Sequence, residues 1–110
     1  MKLTKFLGRK PTINKVLSID AEHLPRDDYD KLVKVANESE PVSGLDVVMV
    51  NNDVQVLVLN MEDVERDKVK LSEQTWAILD AALTDDFVWV SFAIVNGEFY
   101  PNLEAFHWEL

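Results

Sequence analysis

Two histidines and a scatter of carboxylates are the residues of this chain whose types could do chemistry. His23 lies close to Ser18, Asp20 and Glu22, so a nucleophile–base–acid reading can be written for Ser18, His23 and Asp20. All three fall within one strand and its exit, where alternating side chains give poor mutual geometry. The expected role of His23 is therefore structural, at the start of the following helix, and no catalytic residue is assigned. His107 sits between Phe106 and Trp108, three residues from the C-terminus.

The carboxylates fall in runs: Asp27-Asp28-x-Asp30, Glu62-Asp63-x-Glu65-x-Asp67 and Asp85-Asp86. Oxygen ligands of this kind suit hard cations. None of the runs follows the calcium-loop pattern, and the two histidines lack metal spacing. The three glycines, Gly8, Gly44 and Gly97, make no phosphate-cradling loop. With no cysteine in the chain, disulfides, thiolate metal sites and cysteine nucleophiles are excluded. Neither a metal nor a cofactor is expected.

The acids matter more as a field. The net charge is −9, yet Lys2, Lys5, Arg9, Lys10 and Lys15 stand in the first 15 residues with no acid among them. The remaining 95 residues hold 6 bases against 20 acids. Such a body repels nucleic-acid phosphates and favours a basic protein partner, including proteins that handle nucleic acids. Direct nucleic-acid binding and membrane association are not expected. No run approaches the roughly 18 apolar residues of a membrane span, and the N-terminus has no sustained apolar stretch after its basic start. A cytoplasmic location follows.

These residues need elements to position them. Leu24, Tyr29, Leu32 and Ala36 recur at helical spacing, and Leu71, Trp76, Leu79 and Leu83 repeat the pattern 47 positions later. The first helix is expected over 25–37, with Pro25 in its first turn, acids near its start and lysines near its end. Ser72 is a good N-cap for the second, which Thr84-Asp85-Asp86 should break. Strands are expected over 13–19, 45–50, 54–59 and 87–95, with a return strand starting at 98–100. Asn51-Asn52 and Asn96-Gly97 mark tight turns, 45 positions apart.

The order predicts an α+β fold: an antiparallel-rich sheet from a duplicated β-α-β-β unit, with two main helices. The 110 residues form one domain, divided into a basic segment 1–12, a first βαββ unit 13–60 and a second αββ unit 61–110.

The strands carry a further message. In 54–59 only Gln55 is polar, and 87–94 is apolar on both sides. Strands of that kind must be covered on both faces. Two helices sharing one face leave the other to a curled sheet, the terminal segments or another chain.

Ser18-Ile19-Asp20-Ala21-Glu22-His23-Leu24, followed by an acidic helix start, resembles the Ser-Thr-Ala-His-Ile/Leu motif of small uncharacterised prokaryotic proteins carried on plasmids and prophages. The likeness spans one strand–helix junction and departs by two inserted positions. It implies a phage or mobile-element setting and assigns no site residue.

Together these features predict a small acidic, non-enzymatic interaction protein. It would act as an inhibitor, a counter-defence protein or nucleic-acid mimic that binds a basic protein. The partner-binding acids would be Asp27, Asp28, Asp30, Glu62, Asp63, Glu65, Asp85 and Asp86. The interface aromatics would be Trp89, Phe92, Tyr100 and Trp108. The alternative is a homodimeric structural or small-ligand-binding domain.

Overall fold

A computed structural model describes residues 2–38 and 41–108 of the chain. A short helix α1 (Leu3–Leu7) precedes β1 (Lys15–Asp20), and α2 (Arg26–Ala36) follows. The hairpin β2 (Asp46–Val50) and β3 (Asp53–Leu57) comes next, then α3 (Glu73–Thr84) and β4 (Phe87–Ala93). The sheet order is β1-β4-β3-β2. β1 runs parallel to β4, whereas β4–β3 and β3–β2 are antiparallel.

β4 takes the centre because it can. Its near-continuous apolar run suits a strand flanked on both edges and packed on at least one face. Val90 and Phe92 are fully buried between Leu17 and Ile19 of β1 and Val56 and Val54 of β3. Both long helices cover that same face. Tyr29, Leu32 and Val35 of α2 and Trp76, Ile78, Leu79 and Ala82 of α3 share one apolar cluster with it.

The helix boundaries follow local chemistry. α2 begins just after Pro25, carries Asp27 and Asp28 in its first turn and has Lys34 in its last, matching its dipole. At α3, the Ser72 hydroxyl accepts from the Thr75 N–H, and the helix stops at Asp85, where Asp86 turns left-handed at φ 65°. Gly8, at φ 80°, ends α1.

The α+β class and the two main helices are as expected, and Asn51 takes the positive φ its hairpin needs, 58°. The duplication does not carry through. The second helix is followed by β4 alone, and residues 97–100 form no strand with it. The reason lies in the sheet order: β1 and β3 occupy both edges of β4, so a returning strand has nowhere to pair. The chain turns at Asn96 (φ 59°) and runs along the free edge of β1 instead. There the Asp20 N–H donates to the Glu98 carbonyl, and the Tyr100 hydroxyl donates to the Ser18 carbonyl.

Candidate functional site

His23 is the centre of the most connected polar cluster, and its partners define its role. It is 1% exposed. The Tyr100 N–H can only donate, so Nε2 accepts from it at 2.9 Å, and the ring proton sits on Nδ1 facing the Glu104 carbonyl at 2.9 Å. The Gln74 side chain of α3 closes the cluster. Its amide nitrogen donates to the carbonyls of His23 and Glu104, and its oxygen accepts from the Glu104 N–H. Further along, the Phe106 N–H reaches the Glu22 carbonyl, and the Trp108 indole N–H reaches the Leu24 carbonyl. Both nitrogens of His23 are thus committed to backbone groups of one segment, 97–108, which they pin over the β1–α2 connection. Ser18 contributes only its carbonyl, to Tyr100. Asp20 accepts from the Glu22 N–H as a cap, so the three residues of the hydrolase-like reading hold structure together. His107 is exposed, at φ 45°.

Sequence reasoning found His23 but missed Gln74. A lone glutamine on a helix carries no signal, because its partners lie 30 and 51 positions away.

Asp28 behaves differently from its neighbours. It is 4% exposed, and one of its carboxylate oxygens accepts from both the Ser72 N–H (2.8 Å) and the Thr75 hydroxyl (2.6 Å). An acid from the first turn of α2 thereby holds the start of α3, where the helix dipole also favours negative charge. It is buried and occupied, which removes it from a solvent-facing partner surface.

The remaining acids are exposed, and the topology divides them. Asp27 and Asp30 lie at the start of α2, beyond the C-terminal end of β1. Glu62 and Asp63 follow β3, and Asp85 and Asp86 precede β4, at the opposite end of the sheet. Glu65 lies within 3.6 Å of Lys68, and Asp30 within 4.0 Å of Arg26, both as exposed pairs. The acids therefore form a diffuse field over two ends of the molecule.

The aromatic candidates also separate. Phe92 has no exposed surface and belongs to the core, because register places it between Ile19 and Val54 under the helices. Trp108 packs on Tyr29, ring centres 5.0 Å apart, and serves the C-terminal segment. Tyr100 is partly exposed but ties that segment to β1. Only Trp89 stands on the sheet face away from the helices, between Val16 of β1 and Leu57 of β3.

Among the described residues no helix covers that face of the sheet. Alternation places Val16, Ser18 and Asp20 of β1, Trp89, Ser91 and Ala93 of β4, Asp53, Gln55 and Leu57 of β3, and Asp46, Val48 and Val50 of β2 on it. The twelve positions include three acids and no base. Asp20, which lies against Gly97, and Ser91 and Ala93 are buried, and Trp89 and Leu57 are half-buried, while Val16, Val48 and Val50 remain 49%, 41% and 43% exposed. Among the described residues the outer edge of β2 carries no further strand, so the face is continuous with that edge.

Among the described residues, no group of three or more histidines and carboxylates is placed to hold a metal ion, and no helix is long and apolar enough to cross a membrane. No family model, curated protein or solved structure matches the chain.

Proposed function

We propose that this chain is a small acidic interaction protein of the cytoplasm, without catalytic activity of its own, that binds a basic protein through its open sheet face. The observation that carries this reading is the face itself. Val16 of β1 and Val48 and Val50 of β2 stand uncovered there, Trp89 and Leu57 are half-buried between them, and Asp46 and Asp53 lie beside them with no base among them. Trp89, Leu57, Val16 and Val48 supply the apolar contact that a docking surface needs. The exposed acids Asp27, Asp30, Glu62, Asp63, Glu65, Asp85 and Asp86 act at longer range, raising the encounter rate with a positive partner. A plasmid or phage inhibitor would use this physics, and support for that setting is the likeness at residues 18–24.

The test is capture from the native host by immobilised wild-type chain and by Leu57→Lys, each at low and high salt. A basic protein retained by the wild type at low salt, and lost both with Leu57→Lys and at high salt, is the expected outcome. Retention of the same proteins by both chains, insensitive to salt, would sink the reading.

A further inference from the structure

The chain carries, at its own N-terminus, a segment with the chemistry the open face lacks. Leu3, Phe6 and Leu7 fall at i, i+3 and i+4 of α1, so they share one side of that helix. They are 57%, 72% and 50% exposed, and Ile13 further on is 80% exposed. No residue of α1 is buried. Around this apolar side stand Lys2, Lys5, Arg9 and Lys10, with no acid between residues 2 and 14. Among the described residues none of these four cations pairs with a carboxylate. Lys15, the next base, differs, because it is anchored on the Asp85 carbonyl and over the Phe87 ring.

We propose that the open sheet face receives the N-terminal arm, residues 2–14, of a second copy of this chain. The proposal rests on reading that face as a binding surface, and it names one occupant for it. Three matches support the occupant. The arm is basic, whereas the accessible charges of the face are the acids Asp46 and Asp53. Among the described residues its apolar side is exposed, and so are Val16 and Val48, with Trp89 and Leu57 half-buried between them. Its reach also suffices: residues 10–14 in extended form span about 17 Å, enough to carry α1 off the β1 edge onto a neighbouring molecule. Pro11 fixes its own φ and disfavours helix at the residue before it, which keeps that connector extended.

Two copies exchanging arms in this way make a closed two-fold dimer in which each molecule both gives and receives. An anionic lipid surface would attract the arm as well, but it would repel the body that follows, with its 20 acids against 6 bases. The second copy satisfies arm and body together.

The experiment is sedimentation equilibrium of the purified full chain from micromolar to near-millimolar concentration, at low and high salt. Phe6→Asp spoils the arm and Val48→Lys spoils the face. Both positions are exposed, so both variants should keep the wild-type unfolding midpoint. The wild type should dimerise, more weakly in high salt, and each variant should lose affinity by about tenfold or more. Mixing the two variants should restore association, because the intact arm of one fits the intact face of the other.

A wild type that stays monomeric throughout overturns the proposal. So does a Phe6→Asp chain that dimerises like the wild type, or a mixture no better than its components; the latter would indicate pairing of β2 edges instead. Should Val48→Lys fail to fold, the Phe6→Asp result decides alone. These measurements use no outside partner. A monomeric wild type that still loses a captured basic protein on Leu57→Lys removes the arm exchange and leaves the proposed function in place. A dimer that captures nothing does the reverse.

Discussion

The two ends of this chain make opposite use of structure. The C-terminal segment, 97–108, contains no helix or strand, yet it is fastened at Glu98, Tyr100, Glu104, Phe106 and Trp108 to residues more than 25 positions away. The N-terminal segment contains a regular helix, yet its three large apolar residues touch no core. Regular secondary structure therefore says nothing here about which segment is anchored. Anchoring comes from long-range hydrogen bonds that satisfy buried polar groups, and a lone turn of helix cannot supply them. The C-terminal segment is thus part of the fold, while α1 stays exposed.

The sharpest way to break the comparison is to detach the fastened end. Gly97 is the point where the chain crosses the end of β1, and a Cβ there would lie 2.5 Å from the Asp20 Cα. That neighbour is backbone and cannot swing aside. Gly97→Ala should destabilise the protein by about 3 kcal/mol, at the upper end of ordinary overpacking. The loss is read from urea unfolding, together with faster hydrogen exchange at the Asp20 and Tyr100 amides. A variant with wild-type stability and protection would mean the segment is not held at this crossing.

His23→Phe comes next. Phenylalanine keeps a flat ring near Phe99, whose centre lies 5.2 Å from that of His23, but it offers no acceptor to the Tyr100 N–H. The Glu104 carbonyl still has Gln74, so one part-buried donor is orphaned rather than two groups. The expected cost is about 2 kcal/mol by thermal or urea unfolding. An unchanged stability would show that water replaces the ring without penalty.

How much of this was legible beforehand depends on the range of the interaction. Pro25, Ser72 and the Thr84-Asp85-Asp86 stop acted within a few residues of where they stand, and they placed both helices to within a residue or two. Asn96-Gly97 marks a change of chain direction, with Asn96 at φ 59°, but not the hairpin turn its residues predict. The dipeptide reports local backbone freedom, while the occupancy of both β4 edges is a property of the whole sheet. Asp28 shows the same limit. Nothing in Asp27-Asp28-x-Asp30 says that one acid of the three meets Ser72 and Thr75, 44 and 47 positions on. Strand composition calls for cover on both faces, since both sides of 87–94 read apolar. That the helices would share one face needed the fold.

The smallest expected effect lies where the fastened end meets α2. Tyr29 packs against Trp108 and donates its hydroxyl to the Asn52 carbonyl at 3.1 Å. Burial raises its pKa above the ordinary 10.0, and the nearby Asp53 and Asp30 charges raise it further. The native state therefore holds the phenol proton to higher pH than the unfolded chain does. Below pH 10 both states are protonated, and this group adds no slope to stability. Above it the unfolded chain ionises first, so stability falls as pH rises until the native phenol also titrates. Tyr29→Phe has no such proton to lose. At neutral pH it should cost about 1 kcal/mol for the missing hydrogen bond. At alkaline pH the gap to the wild type should narrow or reverse, measured as urea midpoints on either side of pH 10. A gap that stays constant across that range would show that Tyr29 ionises as freely in the folded protein as in the unfolded chain, and that the junction under Trp108 is open to water.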